Sequence, residues 1–268
     1  MIPHHLRLYF HFVLARIRTQ TAYRTSFLLD VASNFLITAL DFSMIWLIFE
    51  RFGNLADWSM WQVGFLYGII SISFGLSNMV GRGFDLFQDE IRLGTFDDKL
   101  IRPYSTFYLI LVHQFDLKRL GKIGQGLIIF LMANAKLSMS WSIGKVIFLL
   151  ATIVGGTCFF IGLMVVGATL CFWTVQSIEF INIFTHGGNE AGNFPISIYK
   201  DWFRRLFTFV IPLAFVNYFP TLYLLDKADP HGAPAILALI SPLVGIVFLT
   251  VSSQIWRFGV SHYQSTGH

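Results

Sequence analysis

The sequence predicts an all-α protein that crosses a membrane several times, and three observations carry that expectation. Of its 268 residues, 55% are apolar and only 13% charged, against roughly 25% charged in an ordinary soluble domain. Such a chain could not clothe a water-facing surface, and a mean hydropathy of +0.63 excludes a disordered chain. The apolar residues also gather into six runs, at 27–49, 61–80, 120–136, 144–173, 203–224 and 234–256, each near the ~20 residues that hydrocarbon requires. Lysine and arginine, finally, are unequally placed. With the N-terminus inside, fifteen fall in inside segments and four, Arg51, Lys136, Lys145 and Lys227, in outside loops, the bias that orients membrane proteins with both termini in the cytosol. A net charge of +4 is then a record of loop placement and not a sign of nucleic acid. With only Cys158 and Cys171, a disulfide-built secreted domain is excluded.

The elements follow in order. Residues 1–26 carry four arginines, and Leu6, Tyr9 or Phe10, Val13 and Ile17 recur at helical spacing, the pattern of an interfacial helix. No compact apolar core precedes a small-residue cleavage site, so no cleaved leader is expected. In the first span Asp30, Asn34 and Asp41 fall within about 40° of one another on a helical wheel, flanked by Thr38. A mid-span aspartate costs about 2.5–3.5 kcal/mol on insertion scales, so the stripe should face the bundle interior or a wet cavity. It either packs helices or lines a substrate or ion pathway. The second span sets Gly64, Gly68, Ser71, Gly75 and Asn78 along one narrow stripe, which predicts close helix packing within the chain or against another subunit.

Between the second and third spans, residues 82–119 mix charge with apolar side chains. Phe84, Phe87, Ile91 and Leu100 fit an amphipathic element that Gly94 divides and Pro103 stops. A short helix along the membrane face would turn Asp89, Glu90 and Arg92 outward, the shape of a docking surface. The third span is short. The fourth is long and is expected to continue as helix, bringing Gln176 and Glu179 to the inner interface. HGGNEAGNFP then reads as a flexible turn. The fifth contains Pro212 and Pro220, so a kink is expected at the first and a break or partial re-entry near the second. Irregular backbone at that depth must be buried or line a cavity.

Several chemistries are missing from the sequence. GRGFDL, GKIGQG and HGGNEAGN lack the Lys-Ser/Thr ending of a phosphate loop. His4, His5, His113 and His186 show no paired ligand spacing, and no G-x-S-x-G elbow occurs. No catalytic residue, metal or cofactor of its own is expected.

Two stretches carry a family resemblance. EIRLGTFDDKLIRPYS resembles the I-x-x-G-x-(L/F)-D-x-x-L-(I/L)-R-P cytosolic motif of type-2 ABC exporter permeases, in a branch known as uncharacterised transport-system permeases. Phe96 stands where leucine is usual. FPISIYKDWFRRLFTFVIPLAFVNYFP resembles the second hallmark of that branch. The resemblance covers residues 1–268 as one transmembrane permease domain of six spans. It implies a second permease chain, identical or different, and ABC ATPase subunits that bind ATP and Mg. It also implies membrane lipids around the chain, the bacterial inner (plasma) membrane as its place, and efflux as its direction. The segment 82–119 would supply the coupling helix, with Asp89, Glu90, Ile91, Arg92, Gly94, Thr95 and Asp97 seated on the ATPase and Arg102 and Pro103 closing the element. Two other readings compete. A proton-coupled secondary transporter would use the acids of the first span but would call for an inverted repeat, and none is visible. A membrane-embedded lipid-modifying enzyme would use Asp30, Asp41 and Glu179, which no histidine or nucleophile accompanies at interpretable spacing.

Overall fold

The computed structural model describes residues 4–174 and 177–264, with side chains over 13–174 and 181–264. Among the described residues, helices and turns account for the structure apart from one isolated bridge, Leu55 to Trp58. Helix α1 (His4–Ala22) gives way at Tyr23 to α2 (Arg24–Phe52). Helix α3 (Met60–Val80) begins at a capping box: the Ser59 hydroxyl accepts from the Gln62 amide at 3.4 Å, and the Gln62 side chain accepts from the Ser59 amide at 3.1 Å. Four short helices follow, α4 (Arg82–Asp85), α5 (Phe87–Arg92), α6 (Asp97–Leu100) and α7 (Thr106–His113). Then come α8 (Leu120–Leu137) and α9 (Ile143–Leu170).

Four helices, α2, α3, α9 and the last one, α13 (Ala235–Ser261), are long and apolar enough to cross a membrane. Helix α3 is the centre of the bundle, with 83% of its apolar window buried against 11% for α2. Helix α8 has 18 residues, about 27 Å at 1.5 Å per residue. It carries Lys122, Gln125, Asn134 and Lys136, which leave it outside that set.

Close approaches fix the helix directions. Gly121 of α8 meets Val31 and Asn34 of α2, and the Gln125 amide donates to the Thr38 carbonyl at 3.1 Å, so α2 and α8 run parallel. Gly68 meets Phe130 and Gly75 meets Ile123, so α3 runs antiparallel to α8. Gly155 meets Pro242 and Gly245, and Gly259 meets Thr169 and Phe172, which makes α9 and α13 parallel. A β-carbon at Gly155 or Gly245 would collide with the other helix's backbone, so only glycine permits this approach. We call the end holding residues 82–119 basal and the opposite end distal.

Because α9 and α13 run the same way, the chain must return once between them. The sequence assigned that return to 203–224. The structure assigns it to helix α10 (Ser177–Gly192). Its first turns meet Gly167 of α9 through Ile181, and its last residue, Gly192, meets Ile70 midway along α3. Beyond it, Ile196 shares a core with Trp58 and Tyr218 towards the distal end. Two readings are thereby corrected. The fourth helix does not run on but ends at Leu170, and HGGNEAG is the end of a helix with one face covered, not a flexible turn. Gly and Asn there favour a loop by propensity, but packing against α3 overrides it. Gln176 lies outside the described residues, as does the side chain of Glu179.

Residues 201–224 make a bent pair instead. Helix α11 (Asp201–Arg205) runs into a π turn over Leu206–Val210, and Leu213–Leu224, which includes α12 (Tyr218–Leu224), leaves at 74°. Arg204 and Arg205 share a cavity of about 320 Å³ with Asp229 and His231 of the distal loop. Pro212 lines a cavity with Ile240, Leu243 and Val247 of the middle of α13. At the far end, the Leu224 carbonyl accepts from Lys145 Nζ at 3.2 Å, again distally. The segment therefore enters from the distal end and returns to it. Lys200, Arg204 and Arg205, counted inside from the sequence, sit at the distal end, opposite residues 82–119. Pro212 breaks the helix as expected from its missing amide. Pro220 does not: it is the third residue of α12, where no amide partner is required.

Candidate functional site

The basal segment is built outward from an aromatic anchor. Phe84, Phe87 and Phe96 are fully buried against Trp256 of α13, at ring-centroid distances of 5.4, 4.9 and 6.2 Å, with Phe172 beside them. The Trp256 indole donates to Thr106 Oγ1 at 3.1 Å, satisfying the one polar atom of a buried ring. Ile91 joins this core, whereas Leu100, expected on the same apolar face, is exposed. Gly94, at φ +68°, makes the reversal between α5 and α6.

Glu90 is the main departure from the expected docking face. It points inward, where one carboxylate oxygen lies 2.8 Å from Lys99 Nζ and the other 3.3 Å from His113 Nδ1. It braces the segment from within and offers a partner nothing. Burial and the nearby Lys99 charge hold the His113 imidazole below its usual pKa, against the pull of Glu90. Asp89 and Arg92 do face outward, paired with each other at 3.1 Å. Thr95, Arg102 and Pro103 are exposed, and Gly94 and Asp97 are half-buried. The sequence reading missed Leu93 and Ile101, bare at 64% and 85% exposure. Their signal was present, since each is an apolar residue next to a charged one at the edge of a short helix.

The polar residues of the first span separate. Asp30 is exposed near the basal end of α2 and takes no part in the bundle interior. The Asn34 amide only caps the Asp30 carbonyl at 3.0 Å, while its β-carbon lies against Gly121. Asp41 is half-buried, three turns further on. Its charge acts on a set that sequence reasoning did not assemble. Lys122 of α8 sits with Nζ 4.6 Å from the centroid of the Phe74 ring and interacts electrostatically with Glu190, Asp41 and Arg119. His186 of α10 lies edge-on to the same ring at 5.4 Å. Glu190 accepts from Asn189 and Asn193, each at 3.0 Å. Tyr67 donates to the Thr38 carbonyl at 3.2 Å.

Helices α2, α3, α8 and α10 therefore bring charge of both signs to one side of the bundle, where His186 and Glu190 are exposed and Asp41 and Lys122 half-buried. Lys122 escaped notice because it was counted as a loop charge. Its place one residue after Gly121 and three before Gln125, both buried, puts it at the edge of the inward stripe of α8. The stripe Gly64, Gly68, Ser71 and Gly75 lies against α8 of the same chain, facing Ile129, Phe130, Gly126 and Ile123 in turn.

A bundle of long apolar helices with a charge-tipped segment folded onto one end defines the class: a multi-pass membrane protein. Residues 35–267 match the family model described as ABC-2 family transporter protein, and the chain belongs to that family. Among curated proteins, none matches it.

Proposed function

We propose that this chain is the permease subunit of an ATP-driven exporter, working with a second permease chain and with separate ABC ATPase subunits that bind ATP and Mg. In this reading the chain crosses the membrane six times, through α2, α3, α8, α9, α10 and α13, with both termini and the basal segment in the cytosol. Residues 201–224 dip in from the outer side. Helix α1 lies along the inner face.

The observation that carries the proposal is the construction of the basal segment. Its apolar half is locked onto α13 through Trp256, and its opposite edge presents Asp89, Arg92, Leu93 and Ile101 to a partner. A part that is rigid inward and bare outward can pass a push into the bundle. Coupling also requires that the ATPase states stabilise two bundle states differently, because a partner that binds both equally shifts nothing. The charged side of the bundle beside α10 is the cargo path in this proposal, with Asp41, Lys122 and Glu190 lining it.

Co-expression with a candidate ABC ATPase subunit tests the docking assignment. Arg92→Glu with Leu93→Asp should lower co-purified ATPase by about tenfold or more, the effect expected of central interface residues, while the chain still inserts and folds. Unchanged co-purification and ATP-dependent transport would remove this edge as the docking surface.

A further inference from the structure

A second feature of the basal end is not explained by coupling. Between α1, α6 and α7 lies a cavity of about 370 Å³, lined by Arg16, Asp98, Lys99, Arg102, Tyr108 and His113 among others. Three permanent cations there face one carboxylate. Lys99 is already held by Glu90, but among the described residues neither Arg16 nor Arg102 forms an ion pair. The cavity is therefore built for an anion.

Its depth identifies the kind of anion. Gln20, one helical turn after Arg16 and on the same face of α1, clamps the turn before α8. Its amide donates to the Phe115 carbonyl, and its oxygen accepts from the Leu117 amide at 2.9 Å. This fixes α1 where α2 and α8 begin, at Arg24 and Leu120. On the membrane-spanning reading above, that level is the headgroup layer. Leu109 and Val112 give the cavity wall an apolar side. Basic pockets beside spans at this level are suited to lipid phosphate groups.

We propose that the cavity binds the phosphate headgroup of an anionic membrane lipid, with Arg16 and Arg102 as its clamp and His113 at its inner wall. The lipid pins α1 to the segment that carries the docking edge, so membrane composition acts on the coupling part directly.

Native mass spectrometry of the full chain in detergent, titrated with phosphatidylglycerol, phosphatidylcholine or inorganic phosphate, tests this. Phosphatidylglycerol should remain bound to the wild type and phosphatidylcholine should not. Arg16→Ala with Arg102→Ala should weaken phosphatidylglycerol binding by about 30-fold, the effect of two basic contacts to an anionic headgroup. Arg18→Ala with Arg257→Ala, which removes equal charge outside the cavity, should leave it unchanged. Equal loss in both double variants, equal retention of phosphatidylcholine, or displacement by millimolar phosphate alone would each overturn the lipid assignment. So would a clamp variant that keeps its lipid but loses the ATPase, which would make the pocket a protein contact. Loss of lipid with normal ATPase co-purification supports the lipid site independently of the docking proposal.

Discussion

Glu90 shows how burial reverses the meaning of a charge. In sequence it stands in a hydrophilic run beside Asp89 and Arg92, and nothing local separates the three. In the structure Asp89 and Arg92 are solvated, and a pair of that kind contributes about 0–1 kcal/mol. Glu90 and Lys99 are each about nine-tenths covered at 2.8 Å, and removing one partner of such a pair typically costs about 3–5 kcal/mol. Glu90→Ala should therefore lower the thermal midpoint of the purified chain clearly, while Asp89→Ala leaves it nearly unchanged. Equal small shifts would show that the brace carries no weight. His113 adds a pH dependence. Its pKa in the folded chain lies below the ordinary value because burial and Lys99 disfavour its charged form. The unfolded chain then takes up the proton first, so this contribution is present above about pH 6.5 and is lost as the pH falls below it. A thermal midpoint that drops between pH 7.5 and 5 in the wild type should drop less in His113→Gln, and identical slopes would contradict the assignment.

At the scale of elements, the consequential change is the exchange of 203–224 for α10 as the returning helix. Labelling with a membrane-impermeant maleimide in a background lacking Cys158 and Cys171 separates the two topologies. Trp202→Cys, exposed beside Arg204, should react from outside intact cells, whereas Ile101→Cys should react only after permeabilisation. If Trp202→Cys also needs permeabilisation, the original fifth span stands. The sequence made α2, α3, α9 and α13 legible because each is a continuous apolar run near or above the length a bilayer needs. It hid α10 because its last turns, HGGNEAG, pair helix-weak residues with packing on one face, Gly192 against Ile70, that only the neighbours supply. It overstated 203–224 because hydropathy measures depth in the membrane and not whether the chain comes out on the far side. Of the site, the position of the basal segment and the outward Asp89 and Arg92 were readable from charge and apolar spacing. The electrostatic coupling of Lys122 to Asp41 and Glu190 joins three helices far apart in sequence, and no single-helix pattern contains it.

For the whole molecule, placing Lys200, Arg204 and Arg205 distally changes the charge count from fifteen against four to twelve against seven. The bias still favours a cytosolic basal end, and two of the three displaced cations, Arg204 and Arg205, line one distal cavity with Asp229. The molecule thus has a basic patch at each end and a mixed-charge side between them. Helix α2 lies on the flank, with Leu36, Leu40, Met44 and Leu47 bare, the side on which lipid or a second permease chain has most room. Along the other flank, the glycine contacts that hold α9 to α13 give the bundle a stiff lever arm. Trp256 is gripped by the basal segment near one end of α13, and Pro212 lines a cavity with Ile240, Leu243 and Val247 along its other half. Because neither helix has room for a β-carbon where Gly155 meets Gly245, a tilt imposed on the basal end of α13 would carry α9 with it, and the two helices would move as one body.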